Sequence, residues 1–287
     1  MQSCFTRLDR AVISVSGDDR VGFLQGLVSN DVAKADAGHA LWAAFLTPQG
    51  KFLYDLFIVG QGDALLIDVE AARAEEFRKK LSLYKLRAKV AIAATELSVF
   101  AVTNAAALGL AAAPGAARAF GDGVAYTDPR PVALGARVVL ASPEPLVAAG
   151  LAEGDLAAWD DARIRAGVPD GSRDMLVDRA LLLENGFEEL GGVDFQKGCY
   201  MGQELTARTK YRGLVRKRLL PVTIDGPVPA PGTPLLADGA EAGEMRSACG
   251  QMGLALVRLD HLRATLAAGE ARLSVQVPDW VRLPDAE

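Results

Sequence analysis

The chain has 287 residues, too many for one small module and enough for two or three compact units burying a large shared core. Half of its residues are hydrophobic and 23% are charged, the composition of a folded chain and not of a disordered one. A net charge of -5 excludes a surface that attracts nucleic acid everywhere, so an anionic partner would have to meet a local basic patch.

Three cysteines, Cys4, Cys199 and Cys249, are odd in number and widely spaced, which suits a reducing compartment better than a disulfide framework. With no CxxC pair and only His39 and His261, there is little material for a metal site or a Ser/His/Asp triad, and no metal ligands are expected. Residues 1–15 lack the long apolar core of a signal peptide, and no apolar run is long enough to cross a bilayer. The expectation is a cytoplasmic protein with no membrane partner.

Along the chain, residues 11–15 alternate as a strand, and 18–28 place Val21, Leu24, Gln25 and Val28 at helical spacing behind an aspartate cap. Residues 41–46 and 52–59 are β-type runs joined by Thr47-Pro48-Gln49-Gly50, a hairpin turn, and another strand covers 64–69. Helix formers dominate 71–89, with Phe77, Leu81 and Tyr84 on one face and Arg78, Lys79 and Lys80 solvated. Next, 97–103, 104–112 and 137–141 read as strand, helix and strand, and the Ala/Gly/Pro-rich stretch 105–123 as a mobile surface region. A helix over 156–166 is stopped by Val168-Pro169-Asp170-Gly171. From Leu219 onward, short β-like runs are cut by Pro227, Pro229, Pro231, Gly232 and Pro234, predicting a small all-β domain that starts near Arg218. The fold class expected from this alternation is α+β.

The densest chemistry lies in Val193-Asp194-Phe195-Gln196-Lys197-Gly198-Cys199-Tyr200-Met201-Gly202-Gln203-Glu204-Leu205. A helix starting near Cys199 would set Cys199 and Gln203 on one face and make Glu204 and Arg208 an i,i+4 ion pair on another. A cysteine at a helix start beside Lys197 would ionise readily and serve as a nucleophilic or redox-active thiolate. The alternative is a small buried hydrophobe. From 197 to 218 the basic residues are Lys197, Arg208, Lys210, Arg212, Arg216, Lys217 and Arg218, opposed only by Glu204. This is either a polyanion-binding band, for a polyglutamate tail or RNA, or a solvated loop and strand edge.

The run Lys197-Gly198-Cys199-Tyr200-Met201-Gly202-Gln203-Glu204, with Ala207-Arg208 after it, closely resembles the signature of the YgfZ family of folate-binding, iron–sulfur maintenance proteins, relatives of the glycine-cleavage T-protein. Phe23-Leu24-Gln25-Gly26, Asn30-Asp31-Val32, Arg163 with Gly167 and Pro169, Tyr211-Arg212-Gly213, and Gly243 with Ser247 fit the same pattern. The resemblance implies a ring of three domains around a central tetrahydrofolate channel. These are residues 1–50 with 155–217, residues 51–154, and a barrel over 218–287. It implies catalytic roles for Cys199 and Lys197, and folate contacts from Asp55, Tyr54, Arg165, Tyr200, Gln203, Glu204 and Arg208. Iron–sulfur proteins or their assembly machinery, including tRNA-modifying enzymes, are the implied partners. Two alternatives stay open: a folate-dependent aminomethyltransferase, and a non-enzymatic folate-bound scaffold. Against the first, the paired carboxylates of the T-protein are reduced to Tyr54-Asp55, and Arg165 stands where an acidic residue would meet the pteridine.

Overall fold

The computed structural model describes residues 3–283; residues 1–2 of the predicted N-terminal stretch and 284–287 of the predicted barrel segment lie outside this range. The first part of the chain forms β1 (Cys4–Ser16), α1 (Arg20–Gln25), β2 (Leu41–Leu46), β3 (Phe52–Gln61), β4 (Ala64–Glu70), α2 (Ala74–Tyr84) and β5 (Ala91–Val102). It continues through β6 (Ala117–Phe120), β7 (Gly123–Thr127), β8 (Ala136–Leu140), α3 (Glu144–Ala148), β9 (Ala152–Glu153), α4 (Leu156–Arg165), α5 (Gly171–Asp174) and α6 (Gln203–Tyr211). The C-terminal part is built of strands, β10 (Lys217–Asp225), β11 (Pro234–Ala237), β12 (Ala240–Cys249), β13 (Met252–Arg258), β14 (Leu266–Ala268) and β15 (Ala271–Val275), with one 3₁₀ turn at Leu259–His261.

One nine-stranded sheet runs β2-β3-β4-β1-β5-β8-β7-β6, with β9 added beside β1. Within it, strands β2 and β3 are buried on both faces of the sheet, which is why they read as nearly unbroken apolar runs. One face carries Tyr54, Leu56, Ile58 and Ile67 under α1 and α2, where Leu24, Phe77 and Leu81 close the layer. The other carries Phe57, Val59, Leu66, Val12 and Trp42 under the segment around Met175, Leu182 and Phe187. Trp42 stacks on Phe187 with centroids 3.9 Å apart. Strands β10 to β15 close into a separate six-stranded barrel in the order β10-β13-β12-β11-β14-β15, filled by Val222, Leu235, Met245, Val257, Leu266 and Leu273. The α+β class and the C-terminal barrel agree with expectation.

Three local expectations are corrected. The helix expected over 71–89 ends at Tyr84, because Leu86 takes a φ of +42°, which a right-handed helix cannot continue through. The helix expected over 104–112 is a single 3₁₀ turn, Ala105–Leu108, capped by the Asn104 side chain and closed by Gly109 at φ +65°. The stretch 105–123, read as mobile surface, instead delivers β6, which pairs with β7 at the sheet edge. Its alanines leave no alternation strong enough to mark a strand.

Candidate functional site

The segment around Cys199 is a loop pinned from both sides to the chain following α1. Asp194 N–H donates to the Ser29 carbonyl and Met201 N–H to the Gly26 carbonyl, each at 3.0 Å. The Asp194 carboxylate accepts from Lys34 at 2.6 Å and from Gln196 N–H at 2.7 Å. Between these pins, Lys197 Nζ donates to the Gln25 and Val28 carbonyls at 2.5 and 2.7 Å, and Gln25 Nε2 returns a bond to the Lys197 carbonyl at 3.2 Å. The ammonium thus satisfies carbonyls that the end of α1 leaves open. Burial pulls the Lys197 pKa down to about 8, against the opposite pull of Asp31 and Asp194.

Tyr200 is buried, and burial raises its phenol to about 12. Its N–H donates to Gln203 Oε1 at 3.1 Å, coupling the loop to the first turn of α6. Gly202, at φ +81°, lies against the β2–β3 turn so closely that a Cβ would sit 2.4 Å from the Thr47 carbonyl oxygen, so no other residue fits. Cys199 alone of the signature's side chains with reactive chemistry stands exposed and without such an anchor. It borders an open groove of about 290 Å³ with Phe195, Tyr200, Gln203, Ala207 and Tyr211. Phe195 and Tyr211 meet edge to face at 6.3 Å, and Lys210 lies 3.7 Å over the Phe195 ring.

This geometry corrects the expectation of a helix start at Cys199. Helix α6 begins at Gln203, after a left-handed Gly202, so Cys199 and Gln203 share no helix face. Lys197 is turned onto backbone carbonyls. Glu204 and Arg208 do form the expected i,i+4 pair, at 3.4 Å and largely in solvent. Three of the seven residues of the basic band meet acids from elsewhere in the chain: Lys210 binds Glu188, Lys217 faces Glu241, and Arg218 is buried against Glu189. Arg212 and Arg216 remain exposed.

The residues assigned to folate do not gather. Tyr54 and Asp55 point to opposite faces of β3, and Tyr54 packs among Phe45 and Phe77 with Arg73 4.1 Å over its ring. Arg165 lies outward, paired with Asp161 at 2.7 Å. Asp55 is sealed in a buried network that the sequence reading missed. Arg10 donates to Asp55 at 3.0 Å and to Asp68 at 2.5 Å, Arg137 donates to Asp68 at 2.7 Å, and Trp42 Nε1 reaches Asp55 at 3.5 Å. Burial opposes the Arg10 charge, but Asp55, Asp68 and Asp170 hold its pKa above the ordinary arginine value. The available signal was a lone charged residue inside an otherwise apolar strand.

A cavity of about 440 Å³ lies beside this network, bordered by Arg10, Glu70, Trp159, Asp160, Asp170 and Arg173. It shares no lining residue with the Cys199 groove. A pterin ring would need a carboxylate acceptor for its amino and ring N–H groups. Here Asp160 and Asp170 are held by Arg173, and Glu70 by the Ser172 hydroxyl and N–H. Asp55 lies behind Arg10. None of the residues that the resemblance assigns to folate borders this cavity.

Residues 216–283 match the family model described as CAF17, C-terminal beta-barrel domain. The chain is 34% identical to the mouse protein named Iron-sulfur cluster assembly factor IBA57, mitochondrial, and 35% identical to its human counterpart, covering 97% of this chain and 85% of each relative. The Pyricularia oryzae homologue is 33% identical, covering 95% of this chain and 76% of its own. In three dimensions the chain resembles the glycine cleavage system aminomethyltransferase T of Bartonella henselae, with a TM-score of 0.80 over 98% of this chain and 86% of that one. At 17% identity that likeness establishes the T-protein fold and nothing about chemistry. The relatives carry the IBA57 name, not that of the related YgfZ proteins. An identity of about one third sustained along nearly the whole chain places it in the IBA57 family.

Proposed function

We propose that this chain serves iron–sulfur cluster assembly by offering the Cys199 thiolate to a cluster carried by a partner protein seated in the groove. The observation that carries this reading is the placement of Cys199, exposed at the crest of a loop whose neighbours on both sides are anchored. A thiolate held on a rigid support meets a cluster at a defined position. The names of the relatives support the process, iron–sulfur cluster assembly. Among the described residues no three His, Cys, Asp or Glu side chains converge to hold a metal ion. Cys199 therefore supplies one ligand and the partner supplies the others. The Cys199 thiol gives its proton to solvent, and the sulfur displaces a water ligand from one cluster iron with no change of oxidation state. Phe195 and Tyr211 offer apolar contact beside the thiol, and Arg212 and Arg216 a basic rim. Tetrahydrofolate and aminomethyl transfer take no step in this reading.

The test is restoration of iron–sulfur enzyme activity in a bacterial strain lacking its own family member. Wild type should restore activity and Cys199→Ala should not, at equal protein level. Full restoration by Cys199→Ala would remove the thiol from the reading.

A further inference from the structure

The end of α2 carries a feature unrelated to either site. Leu83 and Leu86 are 77% and 89% exposed, and Tyr84 beside them is 37% exposed. Large apolar side chains exposed together within four residues mark a contact surface more often than chance placement. Across 79–89 the chain carries Lys79, Lys80, Lys85, Arg87 and Lys89 and no acidic residue, in a protein whose net charge is -5. The nearest acids lie outside this window. Glu75 pairs with Arg78 and Lys79 one turn earlier, and Asp19 accepts the Lys89 backbone N–H.

The tip is a supported structure. Phe77 and Leu81 are buried beneath it, and the Tyr84 ring meets Phe45 at 5.9 Å. Leu86 is held outward at φ +42°, a conformation that costs a bulky residue energy. None of the cavities described above is bordered by these leucines. The tip is thus an exposed apolar corner on a packed base.

We propose that this tip seats the protein reversibly on an anionic lipid bilayer, with Leu83 and Leu86 entering the boundary between headgroups and acyl chains and Lys80, Lys85, Arg87 and Lys89 lying among the lipid phosphates. Leucine flanked by lysine is the composition of amphipathic surfaces that lie in a membrane interface. Protein–protein interfaces are depleted in lysine, and leucine is under-represented among their energetic hot spots. Each cation near such a surface raises partitioning about fivefold, enough to overcome the repulsion of a net-negative protein because Lys80, Lys85, Arg87 and Lys89 are concentrated here. The contact lies on the membrane, since no helix among the described residues is long and apolar enough to cross one.

The experiment is co-sedimentation of the full chain with vesicles of phosphatidylglycerol and phosphatidylcholine in equal parts, against phosphatidylcholine alone, at low and high salt. Binding is expected only to the anionic vesicles and should weaken as salt rises. Leu83→Ser with Leu86→Ser, and separately Lys85→Glu with Arg87→Glu, should each lower partitioning by about tenfold or more. Both variants alter exposed side chains, so their melting temperatures should match wild type. The inference is overturned by no binding to anionic vesicles, by equal binding to neutral ones, or by both variants binding like wild type. Capture of an acidic protein without vesicle binding would assign the tip to that partner and overturn it equally.

Discussion

Replacing Arg163 with Met should test what holds the barrel to the rest of the protein. The Arg163 side chain has no solvent exposure and donates to Asp160 at 2.6 Å, Asp174 at 2.6 Å, the Val168 carbonyl at 3.2 Å and the Ser247 hydroxyl at 3.2 Å. It therefore joins α4, α5 and barrel strand β12 through one cation. Methionine keeps much of the volume but leaves the fully buried Asp174 with the Asp170 N–H and the Ser247 hydroxyl, and with no cation in ion-pair contact among the described residues. Breaking one side of a buried pair costs about 3–5 kcal/mol. That is a large part of the about 5–15 kcal/mol that stabilises a typical protein. Asp160 is spared because Arg173 still holds it at 2.8 Å. Urea unfolding followed by tryptophan fluorescence reads the effect, since Trp159 lies 5.9 Å from the guanidinium and Trp280 bonds the Ala166 carbonyl just after α4. Adding Asp174→Asn should recover about 1–3 kcal/mol relative to the sum of the single changes. A loss under about 1 kcal/mol for Arg163→Met, or strict additivity in the double variant, would refute the reasoning.

Lys197 gives a pH test. Its folded pKa of about 8 lies below the ordinary 10.5, so between those values the unfolded chain binds more protons and stability should rise with pH. The burial penalty is felt in full below about pH 8, and Lys197→Met should lose the rise between pH 8 and 10.5. Equal pH slopes of the urea midpoint in the two proteins would contradict this. Tetrahydrofolate added to the wild type should give no saturable quenching of tryptophan, because Asp55 is committed to Arg10 and the carboxylates around Trp159 are paired. Saturable quenching would show that the cavity has an acceptor to spare.

How much of this was legible depends on whether a feature's cause is local. Strands β2, β3 and β4 were readable because burial on both faces demands unbroken apolar runs, and the turn at 47–50 carries its own Pro and Gly. The Cys199 segment was readable as a motif, but its mechanics were not. Lys197 is held by carbonyls 169 and 172 residues away, which no local spacing reports. The partners of the basic band were hidden for the same reason: Glu188, Glu189 and Glu241, which meet Lys210, Arg218 and Lys217, lie outside the run that carries the cations.

The buried network lay between these cases. Asp55, Asp68 and Arg137 each interrupt an apolar strand, Arg10 stands buried where the apolar half of β1 begins, and a buried charge without a partner is so costly that each implies one of opposite sign. The sheet order β3-β4-β1-β5-β8 then brings the four together. Two cations and two anions, each placed inside a strand, are a sequence-level sign that those strands belong to one sheet, even where the register is unknown. The same reasoning gives Asp55 a demand of its own. A carboxylate buried in a strand must be neutralised for the sheet to form, and Arg10 does this for Asp55, whereas Cys199 stands exposed outside any such network.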